Sequence, residues 1–149
     1  MKRKFILALS LCMMGTTMFA QPKGATEPQL LVKAPMGLMA PVWSPTGDKI
    51  AVTADNYYGI FVVNADGSNM TTVSTDAGAG YKMMWNANGK EILGRTNITE
   101  NSKILHEVKV WDITTGKATT LVEKTRNLKG TPTWNTANVV TIANNLGIR

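Results

Sequence analysis

The chain has 149 residues, 44% of them hydrophobic and 17% charged, with a formal net charge of +6. That balance supports a packed core and excludes wholesale disorder. A single Cys and a single His exclude a disulfide framework, Cys-based zinc sites and zinc sites that need several His ligands.

Residues 1–20 read as an address. Lys2, Arg3 and Lys4 give a positive start, residues 5–14 are apolar apart from Ser10, and the small Ala20 precedes Gln21 and Pro22. This is the layout of a secretory signal peptide. The apolar run is shorter than the roughly 20 residues a bilayer span needs, so no transmembrane span is expected. Cys12 as a lipidated residue is disfavoured by Leu11 directly before it. Export, to a periplasm or out of the cell, removes Lys2, Arg3 and Lys4. That leaves 13 of the 16 basic residues against 10 acids, a net charge of +3. No dense cluster of Lys and Arg remains, so nucleic acid is not an expected partner. Loss of Cys12 leaves the mature chain without a thiol.

Residues 21–40 form an N-terminal segment in which residues 29–33 are expected as an outer strand. Leu31 stands 12 residues before Trp43, as Val73 stands 12 before Trp85. From here the chain repeats itself. Pro41-Val42-Trp43-Ser44-Pro45-Thr46-Gly47-Asp48-Lys49-Ile50-Ala51-Val52 is one copy. Lys82-Met83-Met84-Trp85-Asn86-Ala87-Asn88-Gly89-Lys90-Glu91-Ile92-Leu93 is the second. Pro132-Thr133-Trp134-Asn135-Thr136-Ala137-Asn138-Val139-Val140-Thr141-Ile142 is the third, without its turn glycine. Between them, β-rich runs end in turns at Gly67 and Gly116, and short β-branched strands follow around Val73 and Leu121.

The unit is therefore four short strands in a meander of about 42 residues, the period of a propeller blade. The expected fold is all-β, an incomplete β-propeller of four-stranded antiparallel meander blades. Its blades fall at residues 41–75 and 83–124, with a third starting at 132–145 and supplying two strands. Trp43, Trp85, Trp134, Gly47, Gly67, Gly89 and Gly116 are its repeat anchors. Seven extra residues in the second unit fall around 97–105 and are expected as a longer loop. Two and a half blades leave edges open. The sequence is accordingly expected to be a piece of a longer propeller, able to self-associate through those edges.

The first copy, together with Ile60-Phe61-Val62-Val63-Asn64-Ala65-Asp66-Gly67, resembles the WD40-like β-propeller repeat of the TolB type. Its pattern is a Trp-Ser-Pro-Asp-Gly turn, an apolar strand, and a strand ending in Asp-Gly. Thr46 stands where that pattern has Asp. Trp111-Asp112 is similar to the Trp-Asp dipeptide of WD40 blades. The resemblance covers roughly residues 29–144. It implies a scaffold for protein or ligand contact of the kind found in exported bacterial proteins. The alternative it implies is the non-catalytic propeller of a prolyl-oligopeptidase-like peptidase, whose catalytic domain would lie outside this chain. Similar repeats also occur in polysaccharide lyases, which would need metal ligands this stretch lacks.

The chemical motifs are weak. His106 lacks an oriented partner, because the adjacent Glu107 points to the other face of a strand. No Gly-x-Ser-x-Gly nucleophile motif occurs. Asn64, Asp66 and Ser68 are spaced like the start of a calcium loop. Asn69 and Thr75 stand where such a loop needs Gly and Glu, so a hairpin turn is the reading. Ala77-Gly78-Ala79-Gly80-Tyr81-Lys82 precedes a strand expected from Tyr81 to Trp85, not a helix, and reads as a connection between blades. No catalytic residue, metal site or cofactor is expected. The candidate contact residues for a protein or small ligand are Asp55, Asn56, Tyr57 and Tyr58, two aromatics beside polar groups in the first unit.

Overall fold

The computed structural model describes residues 29–144 and 147–148; the expected leader lies outside them. Three antiparallel sheets follow one another along the chain. The first is β1 (Leu38–Trp43), β2 (Lys49–Ala54), β3 (Tyr58–Asn64) and β4 (Thr71–Ser74), paired in sequence order. The second is β5 (Met84–Trp85), β6 (Glu91–Glu100), β7 (Lys103–Asp112) and β8 (Ala118–Thr125), in the same order. The third holds β9 (Leu128–Trp134), β10 (Val140–Asn144) and β11 (Gly147–Ile148). Among the described residues no helix is long and apolar enough to cross a membrane.

The repeat is visible in the pairing register. Trp43 faces Ile50, Trp85 faces Ile92 and Trp134 faces Val140. The turns between these partners are built alike. Gly47 N–H donates to Ser44 O at 3.0 Å and Gly89 N–H to Asn86 O at 3.1 Å. Asn138 N–H donates to Asn135 O at 3.1 Å. Gly47 and Gly89 have positive φ, and in the third turn Asn138 takes φ 58° instead. Asparagine tolerates the left-handed region, which is how the third unit keeps its turn after losing its glycine.

Strand side chains alternate between two faces, and in the first two sheets both faces carry an apolar layer. Ala51, Ile60 and Val62 from the first sheet meet Trp85, Ile92 and Trp111 from the second in one cluster. Leu93, Val108 and Val110 on the reverse face of the second sheet meet Leu128, with Trp134 and Val140 packed alongside. The sheets therefore stack face to face, each joined to the next by an apolar layer. Ile50, Val52, Phe61 and Val63 form the outer layer of the first sheet, packed against Val32, Leu38 and Met70.

Four expectations change. Residues 29–33 form no strand. Val32 packs on the outer apolar layer and the chain passes close to the Gly67 turn, so this segment crosses the face of the sheet and does not extend its edge. Residues 97–105 are a hairpin and not a loop. Asn101 and Ser102 take φ 49° and 59°, a turn whose twist matches the strands, and pairing runs to Glu100 opposite Lys103. The added length lies in the strands, since β6 and β7 have 10 residues each against 6 and 7 in β2 and β3. The strand expected from Tyr81 shortens to Met84–Trp85. Tyr81 N–H closes a turn on Gly78 O at 3.0 Å and Lys82 has φ 50°, which hold the chain out of the ladder. The third sheet gains β11, paired with β10 through Ala143 and Asn144, beyond the two strands expected.

Candidate functional site

A cleft of about 330 Å³ is lined by Asn56, Tyr57, Gly78, Tyr81, Arg95 and Asn97. Three pieces of chain build it: the β2–β3 turn, the connection from β4 to β5, and the far half of β6.

The β2–β3 turn is a strained one. Asn56 and Tyr57 have φ 57° and 58°, and Gly59 follows at φ 67°. A tyrosine in the left-handed region costs on the order of 1–3 kcal/mol and persists only where its surroundings hold it. Here the Tyr57 carbonyl accepts from Gly80 N–H at 3.2 Å. Its ring meets Tyr81 edge to face, with centroids 5.0 Å apart. Gly80 can lie this close because it has no side chain; a Cβ there would stand 2.1 Å from the Thr53 hydroxyl. Thr53 itself is buried and donates to Gly59 O at 2.8 Å. Lys82 Nζ sits 5.8 Å from the Tyr81 ring centroid at the rim.

The floor is a polar chain across β6 and β7, on the face of the second sheet that also carries Leu93 and Val108 and turns toward the third sheet. Arg95 Nη2 contacts His106 Nε2 at 2.8 Å, and His106 Nδ1 contacts Asn97 Oδ1 at 2.9 Å. A guanidinium only donates, so Nε2 accepts and the ring proton is on Nδ1, donated to Asn97. Burial, then the Arg95 charge, pushes the His106 pKa below its ordinary 6.5, opposed by a backbone hydrogen bond at Thr96. His106 is thus neutral, with both ring nitrogens occupied. Arg95 is also anchored through Nη1 to Gly130 O at 2.8 Å. Asn97 N–H donates to Ala77 O at 2.7 Å, and its amide nitrogen is the side-chain atom nearest Gly78. No carboxylate pairs with Arg95 among the described residues. Asp76, on the connection, is paired with Lys109 at 3.3 Å.

Of the four candidate contact residues, Asn56 and Tyr57 line the cleft. Asp55 lies beside Gly37, and Tyr58 begins β3 with its side chain exposed. Tyr81, Arg95 and Asn97 line the cleft with them, and the sequence does not single these three out as candidate contacts. A signal for them exists: shifted by the 42-residue repeat, Arg95 falls on Thr53 and Asn97 on Asp55. A cation therefore replaces a buried hydroxyl in the same strand position. Glu107 turns to the opposite face of β7 and pairs with Lys109 at 2.9 Å. Asp66 spends its carboxylate on Ser68, N–H at 2.9 Å and hydroxyl at 2.6 Å, inside the Gly67 hairpin.

No protein-family description matches the chain, and no curated protein does. Solved structures do. The crystal structure of the tricorn protease aligns with a TM-score of 0.61 at 13% identity, over 70% of this chain and 11% of the protease. TolB from Acinetobacter baumannii aligns with a TM-score of 0.53 at 12% identity, over 76% of this chain and 32% of TolB. The chain has the fold of an incomplete β-propeller, similar to the propellers of these two proteins. It spans about a third of TolB and about a tenth of the protease. In propeller terms the three sheets are blades, β1, β5 and β9 are their first strands, and the cleft is lined by residues of blade 1, of blade 2 and of the connection between them.

Proposed function

We infer that this chain belongs to an exported, non-enzymatic propeller scaffold that holds a protein or small ligand in the cleft lined by blades 1 and 2 and the connection between them. The observation that carries the reading is the cleft itself: two tyrosines and two asparagines around an Arg95 that no acid among the described residues neutralises. Aromatic faces beside a few oriented polar groups are the usual make-up of a binding site. A non-enzymatic role is supported by His106, whose two nitrogens are both engaged and which therefore serves poorly as a general base. Export is supported by the charged, apolar and small-residue order of residues 1–20. Cell fractionation followed by native mass spectrometry tests both halves. The protein should be recovered outside the cytoplasm, lacking residues 1–20 and carrying a bound species that Tyr81→Ala loses. Cytoplasmic recovery with residues 1–20 intact overturns export, and identical spectra for the variant overturn the binding site.

A second reading is the propeller portion of a larger peptidase. It is favoured by the alignment with the tricorn protease, of which these blades match 11%. Reading frame downstream of the Arg149 codon decides it: an in-frame hydrolase segment with Gly-x-Ser-x-Gly supports this reading.

A further inference from the structure

We propose that the cleft lined by blades 1 and 2 and their connection recognises a carboxylate borne on a flat or apolar body, with Arg95 and the Asn97 amide taking the carboxylate and Tyr57 and Tyr81 the body. This rests on the binding-site reading above and names its ligand chemistry.

Among the described residues, Arg95 is the only charged side chain lining the cleft. Its contacts to Gly130 O and His106 Nε2 use two of its five N–H groups, and the others have no carboxylate partner among the described residues. Neither partner is an anion, so both fix the guanidinium in place without neutralising it. His106 also sets the polarity of Asn97. Because the imidazole donates to Oδ1, that oxygen is occupied and the amide nitrogen is left to face the cleft side, next to Gly78. The floor therefore presents fixed donors from two side chains, the arrangement that selects an anion over a cation. A planar fork matches a carboxylate in two parallel hydrogen bonds. Lys82, the other nearby cation, is on the Tyr81 ring at the rim and does not line the floor. The edge-to-face tyrosines supply an apolar wall beside this floor, held by the strained turn at Asn56 and Tyr57. A space of about 330 Å³ admits one residue-sized group. Two sources have this chemistry: a free aromatic acid and the C-terminal residue of a peptide.

Amide-detected NMR titration of the whole chain tests the proposal with four probes: benzoate, benzamide, N-acetyl-Gly-Phe with a free carboxylate, and the same peptide amidated. Benzoate or the free-carboxylate peptide should shift Gly78, Tyr81 and Asn97 saturably. The neutral counterparts should bind roughly tenfold more weakly or worse. The tighter of the two acids identifies the source. Arg95→Gln should lose the binding. Asn97→Asp keeps an acceptor for His106, so the fold is retained, yet it should lose binding about tenfold by placing an anion on the floor. Equal binding of benzoate and benzamide overturns the carboxylate proposal while leaving the cleft a binding site. Shifts by neither acid, or unchanged binding in Asn97→Asp, also overturn it. The native mass spectrum of Tyr81→Ala tests the binding site independently, so the two failures are distinguishable.

Discussion

The indole Nε1 of Trp85 donates to the backbone carbonyl of Val42 at 3.0 Å, joining the first strand of blade 2 to that of blade 1. Trp85 is 8% exposed, whereas Trp43, at the equivalent position of blade 1, is 57% exposed. Each tryptophan faces the side of the preceding blade, and no blade stands there for Trp43 among the described residues. Trp134 packs against blade 2, but its buried Nε1 finds no partner among the described residues. Truncating Trp85 to Ala should cost about 3–5 kcal/mol. Trp85→Phe, which removes mainly the hydrogen bond, should cost about 1–2 kcal/mol. Trp43→Ala should cost less than about 1 kcal/mol. Urea unfolding midpoints check the order, and equal costs at Trp43 and Trp85 would contradict it.

Gly47 and Gly80 separate two reasons for glycine. Gly47 has φ 73° with open space around its Cβ position, so Gly47→Ala should cost only the backbone term, about 1 kcal/mol. At Gly80 a methyl would stand 2.1 Å from the Thr53 hydroxyl, which is buried and fixed by its bond to Gly59 O. Gly80→Ala should therefore cost about 2–3 kcal/mol. It should also push Tyr81 off Tyr57, seen as altered ring resonances. Gly47→Ala should leave those resonances unchanged.

Acid should destabilise the protein in two steps. His106 has a folded pKa below 6.5. Its contribution is complete above pH 6.5 and declines as pH falls toward the folded value, where the unfolded chain takes up the proton first. Protonation also places a second positive charge against Arg95 and removes the acceptor for Nη2. Asp48, held to about 2 by hydrogen bonds from Thr46 and Lys49, is the lower step: its contribution is lost as pH falls from 3.8 through about 2. Stability measured against pH should lose the upper step in His106→Gln and show a smaller lower step in Asp48→Asn, since Asp66 and Asp112 are also held below the usual carboxylate range by hydrogen bonds. A single unchanged transition in both variants would refute the assignment.

Lys109 ties β7 to the connection between blades. It pairs with Glu107 at 2.9 Å and Asp76 at 3.3 Å. Burial lowers its pKa, and the two carboxylates outweigh that and raise it. Glu107 is buried, so Lys109→Met strands a carboxylate and should cost about 3 kcal/mol. Adding Glu107→Gln should recover much of the loss, measurable as a coupling in a double-mutant cycle.

The amino-acid sequence alone determined the repeat, the position of each tryptophan and the turns at Gly47, Gly67, Gly89 and Gly116. These follow from period-two patterning and local φ requirements, which neighbouring residues set. It also placed Asn56 and Tyr57 in an exposed turn. It did not determine what they face. Tyr57 meets Tyr81, 24 residues away, and Arg95 meets His106 across a ladder extended by the Asn101–Ser102 turn. Trp43 and Trp85 share one local pattern yet differ in burial, because only Trp85 has a preceding blade among the described residues. Which face of each strand lies against which neighbour is fixed when the sheets stack. The cleft, its donors and the unneutralised Arg95 are products of that stacking, and no local stretch of residues encodes them.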